Sequence, residues 1–451
     1  MSHRFILVAM PRFNTPEKAY AEAERVIEEA RRAGDVALSL TSLGLEELPE
    51  SLGQLTQLQF LFVSYNQLSA LPEWIRQLTQ LRILNVSGNR LKTLPTSLQQ
   101  LEESGTLREL YLHNNYDLNI PLEILGCKWH ERSEKQPADP REILRYYFSQ
   151  QRAGNAHPLN EAKVLFIGES EVGKSSLIAA LAHGKFKQSF DKTRGIVREK
   201  WMVPEADNLR LNLWDFGGQE VYHSTHTFFL TERALYVVVV NARDNDRQNN
   251  IEYWLQMARS FGGDAPILVA INKCDQHGAG PDENLLRRKY GGNLEFIRTS
   301  CHSGEGLPSL KKAILARIAG LPEVRREIPD AWLRLKDELE AMTQDTLPVS
   351  AYRALCVRCG ESDEANQNLL LDLWHKLGTV LYFHHDDEDE EDMSALGILN
   401  PDWVTRGVYA VLDDKELMNR QGLLTKKQLA ETLRRAKYQG DDPDFIEAMM
   451  R

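Results

Sequence analysis

Residues 168–176 read Gly-Glu-Ser-Glu-Val-Gly-Lys-Ser-Ser and fit the pattern G-x-x-x-x-G-K-[ST]. The apolar run 163–167 before them is typical of a buried parallel strand, and residues 176–182 after them have a helix-forming composition. A strand, a glycine-rich turn and a helix start direct backbone N–H groups and a positive dipole end at one point, which favours phosphate. We therefore predict a phosphate site formed by Gly168, Glu169, Ser170, Glu171, Val172, Gly173, Lys174, Ser175 and Ser176.

Two later motifs can complete a site for a Mg²⁺-bound triphosphate, in which Lys174 reaches the β- and γ-phosphates. Thr193 can supply a hydroxyl to the metal and a backbone N–H to the γ-phosphate. Asp215 follows the strand-like run 209–214, so its carboxylate can hold the metal, while the Gly218 N–H contacts the γ-phosphate. The predicted metal ligands are Ser175, Thr193 and Asp215, and the predicted catalytic residues are Lys174, Thr193 and Gln219.

A further motif predicts which base is bound. Asn272, Lys273 and Asp275 follow the apolar run 266–271, and a carboxylate there can accept hydrogen bonds from the N1–H and 2-amino groups of guanine. Adenine lacks this pair of donors, so the motif favours GTP and GDP over ATP. Ser300 and Cys301 follow another apolar run, 294–298, and are expected to place backbone N–H groups near the guanine carbonyl.

This ordered set of motifs resembles the Ras-like GTPases, and the wording of residues 193–196 and 215–220 resembles the Roc domain of Roco proteins. The resemblance implies a doubly wound sheet with the nucleotide outside the carboxyl ends of its strands. Gln219 is then expected to orient the attacking water, unless it is idle without a partner protein. Arg194 and Arg198 can either neutralise transition-state charge or serve as solvated or interface residues. Without a fixed arginine, hydrolysis is expected to be slow.

An internal repeat precedes these motifs. The pattern L-x-x-L-x-L-x-x-N recurs between residues 35 and 124, and its units are marked by Leu48-Pro49, Leu71-Pro72, Leu94-Pro95 and Ile120-Pro121. This pattern predicts a leucine-rich-repeat solenoid of about four units, with an amphipathic helix from residue 15 to 32 covering its first unit. The solenoid is either a solvated spacer or a binding face for a protein or peptide. The residues expected to point outward on that face are Gln59, Phe62, Arg82, Asn85, Arg108 and Tyr111.

The chain after residue 322 predicts helices, a strand at 378–383 and then further helices. This order is compatible with a winged-helix module, but the acidic run 386–392 argues against DNA binding. Residues 377–381 and 398–404 instead resemble the first half of the COR domain, which follows Roc throughout the Roco family. The second half, which the resemblance associates with dimerisation, is then expected to be missing, so a homodimer is expected to be weak.

Composition restricts the function classes. A length of 451 residues predicts several domains, and a net charge of −11 argues against a nucleic-acid partner. Five scattered cysteines form no disulfide framework, which favours the cytoplasm, and no apolar run is long enough to span a membrane. A kinase is disfavoured because the glycine-rich, H-R-D and D-F-G set is incomplete. A nucleotide-binding scaffold whose repeats bind a partner, with little hydrolysis, stays open as the alternative to a GTPase switch.

The predicted fold class is therefore multidomain α/β: a leucine-rich-repeat solenoid, a P-loop Ras-like GTPase with a mostly parallel sheet, and an α+β partial COR domain of winged-helix-like character. The predicted domains are a helical cap (1–34), the repeats (35–126), a helical linker (127–160), a bacterial-type Roc GTPase domain (161–322) and the N-terminal half of COR (323–451).

Overall fold

The structure is a computed structural model that describes residues 15–152, 156–184, 196–218, 229–231, 233–244, 250–276, 280–291, 294–321, 324, 327–381, 396–398, 401–412 and 425–436. The chain divides into two units, Met1–His157 and Pro158–Arg451. Thr193, Arg194, Gln219 and the acidic run 386–392 lie outside the described residues.

The first unit is built on four short parallel strands in the order β1-β2-β3-β4. Each strand buries a leucine against the interior, and the asparagines that close the second, third and fourth repeats (Asn66, Asn89 and Asn115) bond the loops of neighbouring coils. The Asn66 side chain, for example, accepts from the N–H groups of Gly44 and Leu45 and donates to the Leu40 carbonyl. This confirms the predicted solenoid, whose strands are β1 (Ala37–Ser39), β2 (Phe60–Phe62), β3 (Ile83–Asn85) and β4 (Glu109–Tyr111).

Helices cover both ends of this solenoid. Helix α1 (Pro16–Ala33) buries its apolar face and contacts the 3-10 turn Glu50–Gln54 of the first repeat, where Ser51 donates to Glu24 at 2.6 Å. At the other end the Leu94 N–H donates to the hydroxyl of buried Tyr147 at 3.0 Å. The remaining elements are α2 (Ser97–Glu103), α3 (Leu122–Leu125), α4 (Pro140–Arg152) and β5 (Ala156–Pro158).

The second unit contains a sheet with the strand order β11-β10-β9-β6-β8-β7 among the described residues. All neighbouring pairs are parallel except β7 and β8, which are antiparallel. The three central strands are buried along their whole length because helices cover both faces of the sheet. The strands are β6 (Glu161–Ile167), β7 (Ile196–Val203), β8 (Leu209–Phe216), β9 (Ala234–Asn241), β10 (Ile267–Asn272) and β11 (Glu295–Arg298).

Two apolar cores lie on opposite faces of this sheet. One core joins the sheet to α5 (Lys174–His183) and α8 (Leu307–Ala319), through buried residues such as Leu177 and Ile314. The other core joins it to α6 (Ile251–Gly262), through Trp254 and Leu255, and includes Leu286 of α7 (Glu283–Tyr290). The doubly wound, mostly parallel arrangement that the motifs predicted is therefore present.

The C-terminal part of the second unit is mainly helical. Its strands are β12 (Glu327–Pro329), β13 (Thr346–Pro348) and β14 (Leu396–Ile398), and β13 and β14 pair antiparallel. Its helices are α9 (Asp330–Ala341), α10 (Val349–Cys359), α11 (Glu364–Leu377), α12 (Pro401–Leu412) and α13 (Lys426–Arg435). Across the described residues, no helix combines the length and apolar character that a membrane crossing needs.

The predicted strand 378–383 does not start where expected. Residues 378–380 form a turn and bend, because Gly378 ends α11 in the left-handed conformation with φ +77°. Leu381 is a bridge residue, and residues 382–383 lie outside the described residues. The strand that pairs with β13 is 396–398, further along the chain.

Candidate nucleotide-binding site

The turn between β6 and α5 has a backbone that requires its glycines. Gly168 and Gly173 have φ values of +145° and +97°, in the region that side chains disfavour. A Cβ atom on Gly168 would lie 2.3 Å from the Val239 carbonyl oxygen, and one on Gly173 would lie 2.4 Å from the Asn272 amide nitrogen. The turn therefore fits tightly between the neighbouring strand ends, with the start of α5 directly after it.

Lys174 folds back over this turn. Its ammonium donates to the carbonyl oxygens of Gly168 and Glu169, both at 2.8 Å, and only 6% of the residue is exposed. Burial lowers the pKa of Lys174 to about 8, and the nearby carboxylates of Asp215 and Glu169 act in the opposite direction. A phosphate group in the turn would supply the negative charge that favours the ammonium form.

Ser175 and Asp215 bring two oxygen ligands together. The Ser175 hydroxyl donates to the Asp215 carboxylate at 2.5 Å, although the two residues are 40 positions apart. Hydroxyl and carboxylate oxygens are the ligands that Mg²⁺ prefers, so these two residues fit the predicted metal. Thr193, the third predicted ligand, lies outside the described residues.

Gly218 lies against the phosphate turn. A Cβ atom there would lie 2.3 Å from the Ser170 nitrogen and 2.6 Å from the Glu169 oxygen, so backbone meets backbone at this point. The chain that leads to Gln219 therefore starts beside the turn, while Gln219 itself is outside the described residues.

The predicted base-binding residues are brought to the same edge of the sheet. The Asn272 amide donates to the Val172 carbonyl at 3.0 Å, and the Lys273 ammonium donates to the Glu171 carbonyl at 2.6 Å. These two bonds tie the end of β10 to the phosphate turn. Asp275 is exposed and accepts from the Ser300 hydroxyl at 2.6 Å, a bond that holds the pKa of its carboxyl below the usual range.

Cys301 contacts Asn272 at the end of β10. Its thiol donates to the Asn272 side-chain oxygen at 3.6 Å, and burial raises the pKa of the thiol to about 11. The side chain is therefore a neutral thiol that packs against Asn272.

Sequence reasoning missed the role of Lys163 in strand β6. Its buried ammonium donates to the Phe229 carbonyl at 2.7 Å and lies 4.5 Å from the centre of the Trp214 ring. Burial, with a smaller contribution from Arg198, lowers the pKa of Lys163 to about 7. The signal that could have indicated it is the presence of a lysine within the apolar run 163–167.

Arg198 lies at an internal interface. Its guanidinium donates to the Gly378 carbonyl at 2.7 Å and lies 5.4 Å from the centre of the same Trp214 ring. Of the roles considered for this residue, the structure therefore favours the interface residue. Gly378 itself has no room for a side chain, because a Cβ atom would lie 2.2 Å from Trp214 Cζ2.

A second contact between the sheet and the C-terminal helices is an ion-pair network. The Lys336 ammonium, whose side chain is 1% exposed, donates to Glu161 at 2.7 Å and also bonds Glu340. Arg210 bonds both of these carboxylates, and Lys200 donates to Glu340 at 2.6 Å. Two carboxylates therefore share three cations, and the network joins β6, β7 and β8 to α9.

Three family models match the chain. The model described as "Ras of Complex, Roc, domain of DAPkinase" matches residues 163–275, and "C-terminal of Roc, COR-A domain" matches residues 329–451. A model for two leucine-rich repeats matches residues 56–103. A solved structure, Roco2 RocCORdC of Methanosarcina barkeri bound to GDP, is 34% identical with a TM-score of 0.56, over 64% of this chain and 87% of that one. The chain belongs to the Roco family. Its Roc domain is a Ras-like GTPase domain, so the predicted fold class and enzyme class are confirmed.

Curated relatives place this Roco protein among much longer proteins. It is 27% identical over 308 residues to probable serine/threonine-protein kinase pats1 of Dictyostelium discoideum, covering 61% of this chain and 10% of that protein. It is 28% identical over 340 residues to the Roc-COR-CHAT protease of Runella zeae, covering 69% of this chain and 35% of that protein. The chain thus spans about a tenth to a third of their lengths. It is also 28% identical over 173 residues to the Ras-related protein Rab-5B of Plasmodium falciparum, covering 38% of this chain and 83% of that protein.

Proposed function

We propose that this Roco protein binds GTP and GDP with Mg²⁺, hydrolyses GTP slowly, and acts as a cytoplasmic signalling switch coupled to COR-A and the repeats. The observation that carries the proposal is the contact of Ser175 with Asp215, directly beside Lys174 and the phosphate turn. Carboxylate, hydroxyl and ammonium groups together at a helix N-terminus suit a metal-bound triphosphate better than any uncharged ligand.

Each residue has a proposed role in that site. Lys174 holds the β- and γ-phosphates, and backbone N–H groups of residues 168–176 and Gly218 surround them. Asp275 accepts hydrogen bonds from guanine, with Asn272, Lys273, Ser300 and Cys301 shaping its pocket. Bound Mg²⁺ would neutralise phosphate charge, held by Ser175, Thr193 and Asp215. Gln219 orients the attacking water.

The turnover test is phosphate release from GTP under single-turnover conditions, for the wild type and Gln219→Ala. We expect a slow wild-type rate that falls by about tenfold or more in the variant. Gln100→Ala, an exposed glutamine in the repeats, is the control and should match the wild type. An unchanged rate in Gln219→Ala would overturn the role of Gln219. Tight GTP binding without turnover would overturn the switch and favour a nucleotide-binding scaffold.

Coupling to COR-A is proposed from contacts near the ends of β7 and β8. Arg198 bonds the Gly378 carbonyl, and Thr231 donates to the Lys376 carbonyl at 3.3 Å. The nucleotide can shift COR-A only if its two states differ in such contacts. We therefore expect hydrogen exchange in residues 364–381 to differ between GDP and a non-hydrolysable GTP analogue. Equal protection in both states would refute the coupling.

A further inference from the structure

The outer face of the repeat strands carries a row of side chains that the strand register places side by side. Ser39, Phe62, Asn85 and Tyr111 are register partners in β1 to β4. We call the surface that they form the strand face. Repeat periodicity predicts that such residues are open to solvent, yet Tyr111 is 1% exposed and Asn85 is 3% exposed. Arg82 and Arg108 beside this row are exposed as expected.

The cover on the strand face is a segment of the chain itself. The Trp129 ring lies edge-on to Phe62 and Tyr111, with centroid distances of 4.9 and 5.3 Å. It therefore reaches from the second strand to the fourth. Edge-to-face pairs of this kind are attractive beyond the apolar area that they bury.

One turn after Trp129, Arg132 completes the contact. Its guanidinium lies 4.6 Å from the centre of the Trp129 ring and donates to Glu109 at 3.0 Å. The other oxygen of the same carboxylate accepts from the Tyr111 hydroxyl at 2.8 Å. The strand face thus offers an aromatic slot and, next to it, an oriented carboxylate.

This segment is not what closes the end of the solenoid. The end is closed by α4, whose Ile143, Tyr146 and Tyr147 are buried, whereas Trp129 stays half-buried on the strand face. The segment, residues 126–137, begins and ends at one point, where Gly126 forms an antiparallel bridge with Pro137. Its base is held by the His113 ring, 3.1 Å from the Gly126 carbonyl. The leucine core is thus covered by α4, whereas the Trp129 side chain of this segment covers the strand face.

We propose that the strand face is a recognition site for a partner segment in which an aromatic residue is followed three residues later by an arginine, and that Trp129–Arg132 occupies it as an intramolecular ligand. Tryptophan and arginine are the residues that most often dominate binding energy at protein interfaces. The slot and the Glu109 carboxylate match that pair in both shape and charge. This inference concerns the repeats and does not depend on the nucleotide chemistry proposed above.

The test uses a fluorescein-labelled synthetic peptide with the sequence of residues 126–138 and Cys127→Ser, titrated with the full chain. The double variant Trp129→Ala, Arg132→Ala empties the site and is expected to bind the peptide. The wild type is expected to bind the peptide at least about a hundredfold more weakly than the double variant, because its own tethered segment competes at an effective concentration on the order of mM. Control peptides with tryptophan replaced by alanine, or arginine by glutamate, should each bind the double variant at least about tenfold more weakly.

Two results would overturn the proposal. One is the absence of saturable binding to a double variant whose circular dichroism and melting match those of the wild type. The other is equal binding by the wild type and the double variant, which would place the peptide elsewhere. If the double variant does not fold, Arg132→Ala alone replaces it. This substitution removes the bond to Glu109 and the contact with the Trp129 ring, but Arg132 is exposed and is not part of the core. It should bind the peptide at least about tenfold more tightly than the wild type, and no gain would refute the proposal. Unchanged GDP binding in each variant separates this outcome from a failure of the Roc domain.

Discussion

Glu340 bonds more cations than any other residue of the ion-pair network between the Roc sheet and helix α9. Its carboxylate bonds Lys336, Arg210 and Lys200, while the other carboxylate of the network, Glu161, bonds only Lys336 and Arg210 among these cations. We predict that Glu340→Gln lowers the free energy of unfolding by about 3 kcal/mol. The replacement keeps the shape of the side chain and removes its charge.

The magnitude follows from the pKa of Glu340. Burial alone would raise it, but Lys336, Lys200 and Arg210 together lower it from 4.5 to about 2. At 1.36 kcal/mol for each pKa unit, this shift corresponds to roughly 3 kcal/mol of stability in the ionised form. Because the pKa is lower in the folded state, this contribution is present above pH 4.5 and is lost as the pH falls toward 2.

The charge balance of the network predicts which substitution lowers the free energy of unfolding most. Lys336→Met leaves two cations with two carboxylates, whereas Glu340→Gln leaves three cations with one carboxylate. Lys336→Met should therefore cost less, about 1.5–3 kcal/mol. Glu338 lies on the same helix in an exposed pair with Arg358, so Glu338→Gln should cost less than about 1 kcal/mol.

Urea unfolding of the full chain at pH 7, followed by circular dichroism, measures all three variants. A loss below about 1 kcal/mol for Glu340→Gln would refute the reasoning, since the network would then resemble an exposed ion pair. A larger loss for Lys336→Met than for Glu340→Gln would refute the charge argument in particular.

Three further predictions concern other positions. Gly378→Ala should lower the melting temperature by several degrees more than Gly360→Ala, because both glycines have positive φ but only the first meets Trp214 within 2.2 Å. His113 is buried, and its pKa is lowered mainly by that burial. The stability of the repeats should therefore fall as the pH drops below about 6.5, and it should fall less in His113→Gln, which melting curves at several pH values measure. Asp275→Asn should weaken GTP binding at least about a hundredfold, measured with a fluorescent GTP analogue, and unchanged affinity would refute guanine recognition by Asp275.

The sequence was most informative at positions where the local backbone conformation or its hydrogen bonds require a particular residue type. Gly168 and Gly173 could be assigned because their positive φ values and the lack of space around them exclude other residues. The repeat leucines and Asn66 were predictable for a related reason, since each repeat must satisfy its loop backbone in the same way. Periodicity reports such local requirements directly.

The sequence was least informative about contacts between segments that are far apart in the chain. The repeat pattern predicted an outward Tyr111, but it holds no information about Trp129, which docks from outside the repeats. The predicted strand 378–383 was placed too early, because Gly378 ends α11 and the two residues after it form a bend. Arg198 stayed ambiguous for the same reason, because the carbonyl that it bonds is 180 positions away.

Two adjacent residues in β8, Trp214 and Asp215, lead us to propose a further route for the coupling, through the backbone of that strand. Successive side chains of a strand point to opposite faces of the sheet, so Asp215 and Trp214 face opposite ways. Asp215 reaches Ser175 at the phosphate turn, and Trp214 meets Gly378 where there is no space for even one methyl group. We therefore expect a shift of β8 that moves the Asp215 carboxylate to move the Trp214 ring against Gly378 as well. No chain of side chains is needed between the two sites, since one peptide unit joins them.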